Sequence, residues 1–154
     1  MQIFKDLSIR LKRFTRWILS QAGTPGERAR GIAIGVFMGC FPLFGLQSVL
    51  GMILASLFKG NQLLAATATW ISNPFTYIPL YWINYQVGSI LLGDNNSFKN
   101  IDIDTFSTLF SQGYVVLNKI LLGSLFVGLF LGLIFGCLTY FLLVSLINRN
   151  HYKS

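Results

Sequence analysis

The side chains with the most chemical potential are uncharged. Gln47, Gln62, Thr67, Thr69, Ser72, Asn73, Thr76, Asn84 and Gln86 are set in otherwise apolar sequence between Arg30 and Asp94, where the one charge is Lys59. Amides and hydroxyls at this density can hold a polar group or satisfy interrupted backbone, but they supply neither a strong base nor a nucleophile. No carboxylate lies inside the apolar runs, which argues against an Asp/Glu proton relay. The sole histidine, His151, stands in a basic tail. Cys40 and Cys137 lie in apolar runs without metal-ligand spacing and read as small packing residues. No Gly-rich phosphate loop of nucleotide type is present. No catalytic residue, metal or cofactor is therefore expected.

The composition points to the solvent these groups face. Of 154 residues, 53% are hydrophobic and 11% charged, with mean hydropathy +0.60. A soluble domain carries roughly 25% charged residues. One domain in a lipid bilayer is expected. The net charge of +7 is concentrated before the first apolar run, at Lys5, Arg10, Lys12, Arg13, Arg16, Arg28 and Arg30. Basic residues beside membrane segments mark the cytoplasmic side, so the N-terminus is expected inside. They also make anionic lipid headgroups the expected partner, and no nucleic-acid motif accompanies them. The apolar run that follows is too long for a signal-peptide core.

The elements that position the polar groups can be read in order. Ile3, Phe4, Leu7, Leu11, Phe14, Trp17 and Ile18 share one face of a helix whose other face is basic, the pattern of a surface helix over 1–23. The membrane region follows at 24–148. Thr24-Pro25-Gly26-Glu27 is a helix start with a capping box. That helix is expected to end at Phe41, before Pro42, and a second to run from Leu46 to Phe58, stopped by Gly60. Asn61 caps a third piece, Gln62–Ile71, and Asn73-Pro74 breaks it. A fourth resumes at Phe75 and runs across Pro79 to Leu92, giving two broken pairs, 24–59 and 61–93. A polar loop is expected over 94–118, with a short helix after Asp104. A regular apolar helix follows over 119–148, and then a basic tail at 149–154.

Two stripes of small residues recur every four positions, Gly31/Gly35/Gly39 and Gly128/Gly132/Gly136. This spacing lets helix backbones approach closely, within one chain or in a homo-oligomer.

The first apolar run is too short on either side of Pro42 to cross ~30 Å of hydrocarbon twice. It is either one kinked span or a re-entrant hairpin. Both termini are basic and the 94–118 segment is acidic, which favours the hairpin over three ordinary spans. The expected fold is an all-α integral membrane protein. It comprises an amphipathic N-terminal helix, one or two proline-broken or re-entrant hairpins, and one regular C-terminal transmembrane helix. At the breaks, Gln47, Asn61, Asn73, Thr76 and Asn84 are the candidate ligand-binding residues. Arg28, Arg30 and Lys59 are the candidates for lipid phosphate.

Gly35-Val36-Phe37-Met38-Gly39, Phe41-Pro42-Leu43-Phe44-Gly45-Leu46-Gln47, Asn61 and Thr69-Trp70-Ile71-Ser72-Asn73-Pro74-Phe75-Thr76 resemble one family. It is the bacterial membrane family labelled domain of unknown function 2062, and the likeness spans about residues 24–145. The resemblance implies a multi-pass bacterial inner-membrane protein and supplies no reaction. Some members are attached to glycosyltransferase domains. The expected function is transport or binding of a polar or lipid-linked molecule at the broken helices. The alternative is a non-catalytic scaffold for a partner enzyme such as a glycosyltransferase. A reporter fused after Ser154 is expected to be active on the cytoplasmic side, and activity on the outer side alone would overturn the hairpin topology.

Overall fold

The structure is a computed structural model. It describes residues 9, 13, 16–93 and 106–151, with the backbone alone at 106–112 and 149–151. The described residues form helices: α1 (Pro25–Gly39), α2 (Leu46–Leu57), α3 (Gln62–Ala68), a 3-10 turn Thr69–Ile71, α4 (Tyr77–Leu91) and α5 (Phe106–His151). Residues 16–20 are helical, and most of the amphipathic helix expected over 1–23 lies outside the described residues.

Local chemistry sets the ends of these helices. Thr24 and Glu27 form the expected capping box, with Thr24 Oγ1 accepting from the Glu27 amide and Glu27 Oε2 from the Thr24 amide. α1 ends at Gly39, two residues short of the expected Phe41. α2 closes in a Schellman motif: the Gly60 amide donates to the Ala55 carbonyl and the Lys59 amide to the Ser56 carbonyl. The left-handed residue of that motif is Lys59, at φ 53, and not the expected glycine. Gly60 has a different role. A Cβ there would press on the backbone of Arg30 and Gly31, so the glycine allows the end of α2 to touch the start of α1.

That contact turns α1 and α2 into an antiparallel pair. Arg30 Nε and Nη2 donate to the Lys59 carbonyl at 3.3 and 2.8 Å, and the Asn61 amide to the Glu27 carbonyl at 2.9 Å. α3 then runs alongside α1. Gly31, Gly35 and Gly39 meet the backbones of Asn61, Ala65 and Thr69 in turn. The second stripe also packs inside the chain, since Gly128, Gly132 and Gly136 lie against Phe37, Ala33 and Ala29 of α1.

α5 carries the rest. It is 46 residues long, about 69 Å at ~1.5 Å per residue. α1 packs on its C-terminal half and α4 on its N-terminal half, so the two lie end to end along it. The loop expected over 94–118 is shorter, because helix begins at Phe106. The short helix expected after Asp104 is present from Phe106, and it runs on through Gly113 into the apolar helix without a break. Among the described residues, Gly113–Asn148 is the one helix long and apolar enough to cross a membrane. A core of Ile18, Ile32, Val36, Leu64 and Leu143 ties the N-terminal turn to α1, α3 and α5.

A Cβ on Gly35 would drive into the Ala65 carbonyl and the Ala68 side chain. Gly35→Leu is expected to lower the unfolding temperature in detergent, by the ~1–3 kcal/mol typical of overpacking or more. An unchanged melt would show that α1 and α3 are not in backbone contact.

Candidate functional site: a buried amide node at the helix breaks

α1 stops where Pro42, which has no N–H, can no longer continue the ladder, and this leaves carbonyls without helical partners. Asn84, from the middle of α4, answers one of them. Its Nδ2 donates to the Cys40 carbonyl at 2.9 Å and to Ser124 Oγ of α5 at 2.9 Å. Ser124 Oγ in turn donates to the Ile120 carbonyl at 2.7 Å. Cys40, Asn84 and Ser124 are fully buried. One amide therefore joins α1, α4 and α5 at the point where α1 ends and α4 takes over. Helix approach at this point needs small residues: a Cβ on Gly123 would meet the Asn84 carbonyl, and one on Gly88 the Lys119 carbonyl. Asn84 Oδ1 has no hydrogen-bond partner.

A second polar layer lies on the α2 side. Gln47 Nε2 donates to Ser72 Oγ at 3.0 Å, and Ser72 Oγ to the Thr69 carbonyl at 3.1 Å. Ser48 Oγ and Thr69 Oγ1 are 2.8 Å apart. Gln47 is buried, and its Oε1 also lacks a partner.

The other polar candidates are engaged locally. Asn73 and Thr76 cap each other reciprocally. Asn73 Oδ1 accepts from the Thr76 amide, and Thr76 Oγ1 accepts from the Asn73 amide at 2.8 Å. The Asn-Pro-Phe-Thr segment is thus the start signal of α4. Pro79 falls in the first turn of that helix, where a missing N–H costs nothing, so α4 begins ahead of it and is not interrupted by it. Asn61 Oδ1 caps α3 through the Leu64 amide, while its Nδ2 donates to the Ala22 carbonyl. Phe44, Tyr77 and Tyr81 pack their rings 5.1–6.0 Å apart and clasp the Pro42 turn against α4.

The three basic candidates stand near the N-terminal end of α1. Arg30 holds the Lys59 carbonyl, and Arg28 Nε is buried without a partner. Lys59 lines an open polar basin with Gln21, Glu27 and Asn61. Two features escaped the sequence reading. Lys119, at the edge of the last apolar run, is buried with Nζ 5.2 Å from the Tyr85 ring centroid, a cation–π distance. Gly88 and Gly123 are solitary glycines on facing helices, a signal visible only once the helices are paired.

The arrangement defines an all-helical protein whose helix breaks are closed by buried amides, with no group of three or more metal-ligating side chains among the described residues. The chain belongs to the family described as "Uncharacterized protein conserved in bacteria (DUF2062)", which it matches over residues 9–154. Neither the curated proteins nor the solved structures give a match.

Asn84→Leu would remove the donor to the Cys40 carbonyl and leave buried acceptors unmet. It is expected to cost ~1–3 kcal/mol of stability in a denaturation assay. Gln47→Leu removes the Nε2 bond to Ser72 together with a buried oxygen that has no partner, and Ser72 keeps its own bond to Thr69, so the two effects offset and a change below about 1 kcal/mol is expected. Equal losses for the two variants would contradict the node.

Proposed function

We propose that this protein is a multi-pass bacterial inner-membrane protein that binds anionic lipid, or a lipid-linked molecule, and carries out no bond chemistry of its own. One observation carries the reading. Large apolar side chains face outward over most of the molecule, including Phe75 at 92%, Ile78 at 79% and Trp70 at 75% exposure, with Phe130, Leu133 and Phe141 along α5. A soluble monomer rarely exposes so much contiguous apolar surface, whereas lipid tails cover it without cost.

In this reading α1 and α2 enter the membrane from the cytoplasmic side and return to it. The bond from Arg30 to the Lys59 carbonyl supports that course, because it brings both ends of the first apolar run together. α3 and α4 then cross outward, and α5 crosses back. The basic cluster of Arg28, Arg30 and Lys59 sits at headgroup depth, where each basic residue contributes ~1 kcal/mol toward anionic lipid. The open acceptors Gln47 Oε1 and Asn84 Oδ1 offer hydrogen-bond positions to a polar group at the breaks. The scaffold alternative draws less support, since both glycine stripes are packed against helices of the same chain.

The protein is expected to stay in the membrane pellet after alkaline carbonate washing, and to retain anionic phospholipid in native mass spectrometry from mild detergent. Release by carbonate, or protein that carries no lipid, would overturn the proposal.

A further inference from the structure

We infer that the groove between α1, α2 and α5 holds one acyl chain of an anionic phospholipid, with its phosphate on Arg30. The inference rests on the lipid-binding reading above and gives it a site. α2 and α5 both flank α1 and leave a groove of about 320 Å³ over its outer face. Ala33 and Phe37 form the floor, Leu54 and Phe58 one wall, and Leu129 and Leu133 the other. Gly128 and Gly132 line it beside that second wall, where they let α5 close onto Phe37 and Ala33 of α1. The volume lies in the ~300–1,000 Å³ range of ligand sites.

The groove is polar at one end only. Arg30 is the sole charged residue among those that line it. From Arg30 to Phe37 the groove follows about 10 Å of helix, at ~1.5 Å per residue, toward the level of Gly128. A cation at the mouth and an apolar channel running inward match an amphiphile with an anionic head. Arg30 also has donors to offer. A guanidinium carries about five N–H groups. Here one from Nε and one from Nη2 are bound to the Lys59 carbonyl. The remaining ones suit a phosphate, which guanidinium groups bind through paired hydrogen bonds. The Lys59 carbonyl holds the side chain at the groove's end, so the cation is positioned before the lipid arrives.

The experiment is native mass spectrometry of the full chain in mild detergent, titrated with phosphatidylglycerol or phosphatidylcholine of matched chains. The wild type is expected to hold one phosphatidylglycerol about fivefold more tightly than phosphatidylcholine, the preference one basic residue confers. Arg30→Gln is expected to abolish the preference. Leu129→Trp, which fills the groove and leaves Arg30 intact, is expected to remove one bound lipid of either kind. Equal affinity for both lipids in the wild type would overturn the inference. So would unchanged lipid occupancy in Leu129→Trp, or a dimer that Leu129→Trp dissolves, which would make a second copy the occupant. Lipid retained in every variant would reject this groove and leave the lipid-binding reading standing. Protein that retains no lipid in any form would reject both.

Discussion

The carbonyl oxygen of Cys40 is the constraint on which the rest of the structure depends. Pro42 ends α1 inside apolar surroundings, and an unmet backbone acceptor there costs free energy comparable to a lost hydrogen bond. Asn84 meets it through Nδ2 at 2.9 Å, and to do so α4 must pack against the end of α1. The second amide hydrogen then requires Ser124, which draws in α5. Gly88 and Gly123 follow from that closeness, because side chains at either position would meet backbone. A single break in one helix thus fixes the mutual placement of three.

The same logic explains why amides and not charges populate the breaks. An amide can donate and accept without the desolvation penalty of an ion. Asn73 and Thr76 restart α4 at Asn73-Pro74, Asn61 starts α3, and Asn84 closes α1. The charges are held back to the ends of the apolar runs. Arg30 joins the two ends of the α1–α2 pair, and Lys119 is covered by the Tyr85 ring. Apolar surface left exposed between these levels is what motivates the proposed lipid environment.

Much of this was legible in the sequence wherever the physics is local. The Thr24–Glu27 capping box, the Asn61 cap and the stops at Pro42 and Asn73-Pro74 depend on residues three or four apart, and the helices begin and end close to them. Asn84 was recognisable as a polar residue in an apolar run, but its partners lie 44 and 40 residues away, and no periodicity reports such a pairing. The glycine stripes announced close packing without naming the partner helix. Gly60 was the expected stop of α2, but the tight contact with Gly31 claims the glycine and leaves the left-handed position to Lys59. A short helix after Asp104 was legible, but its fusion with the apolar helix into one 46-residue element was not, because the polar residues between them read as a separate segment.

In the proposed topology the first apolar run leaves the membrane on the side it entered, and the second run crosses. Single cysteines at Lys59→Cys and Gly93→Cys, in a background with Cys40 and Cys137 replaced by serine, test it directly with a membrane-impermeant maleimide on intact and lysed cells. Position 93 is expected to react in intact cells and position 59 only after lysis. Labelling of position 59 in intact cells would contradict the proposed topology.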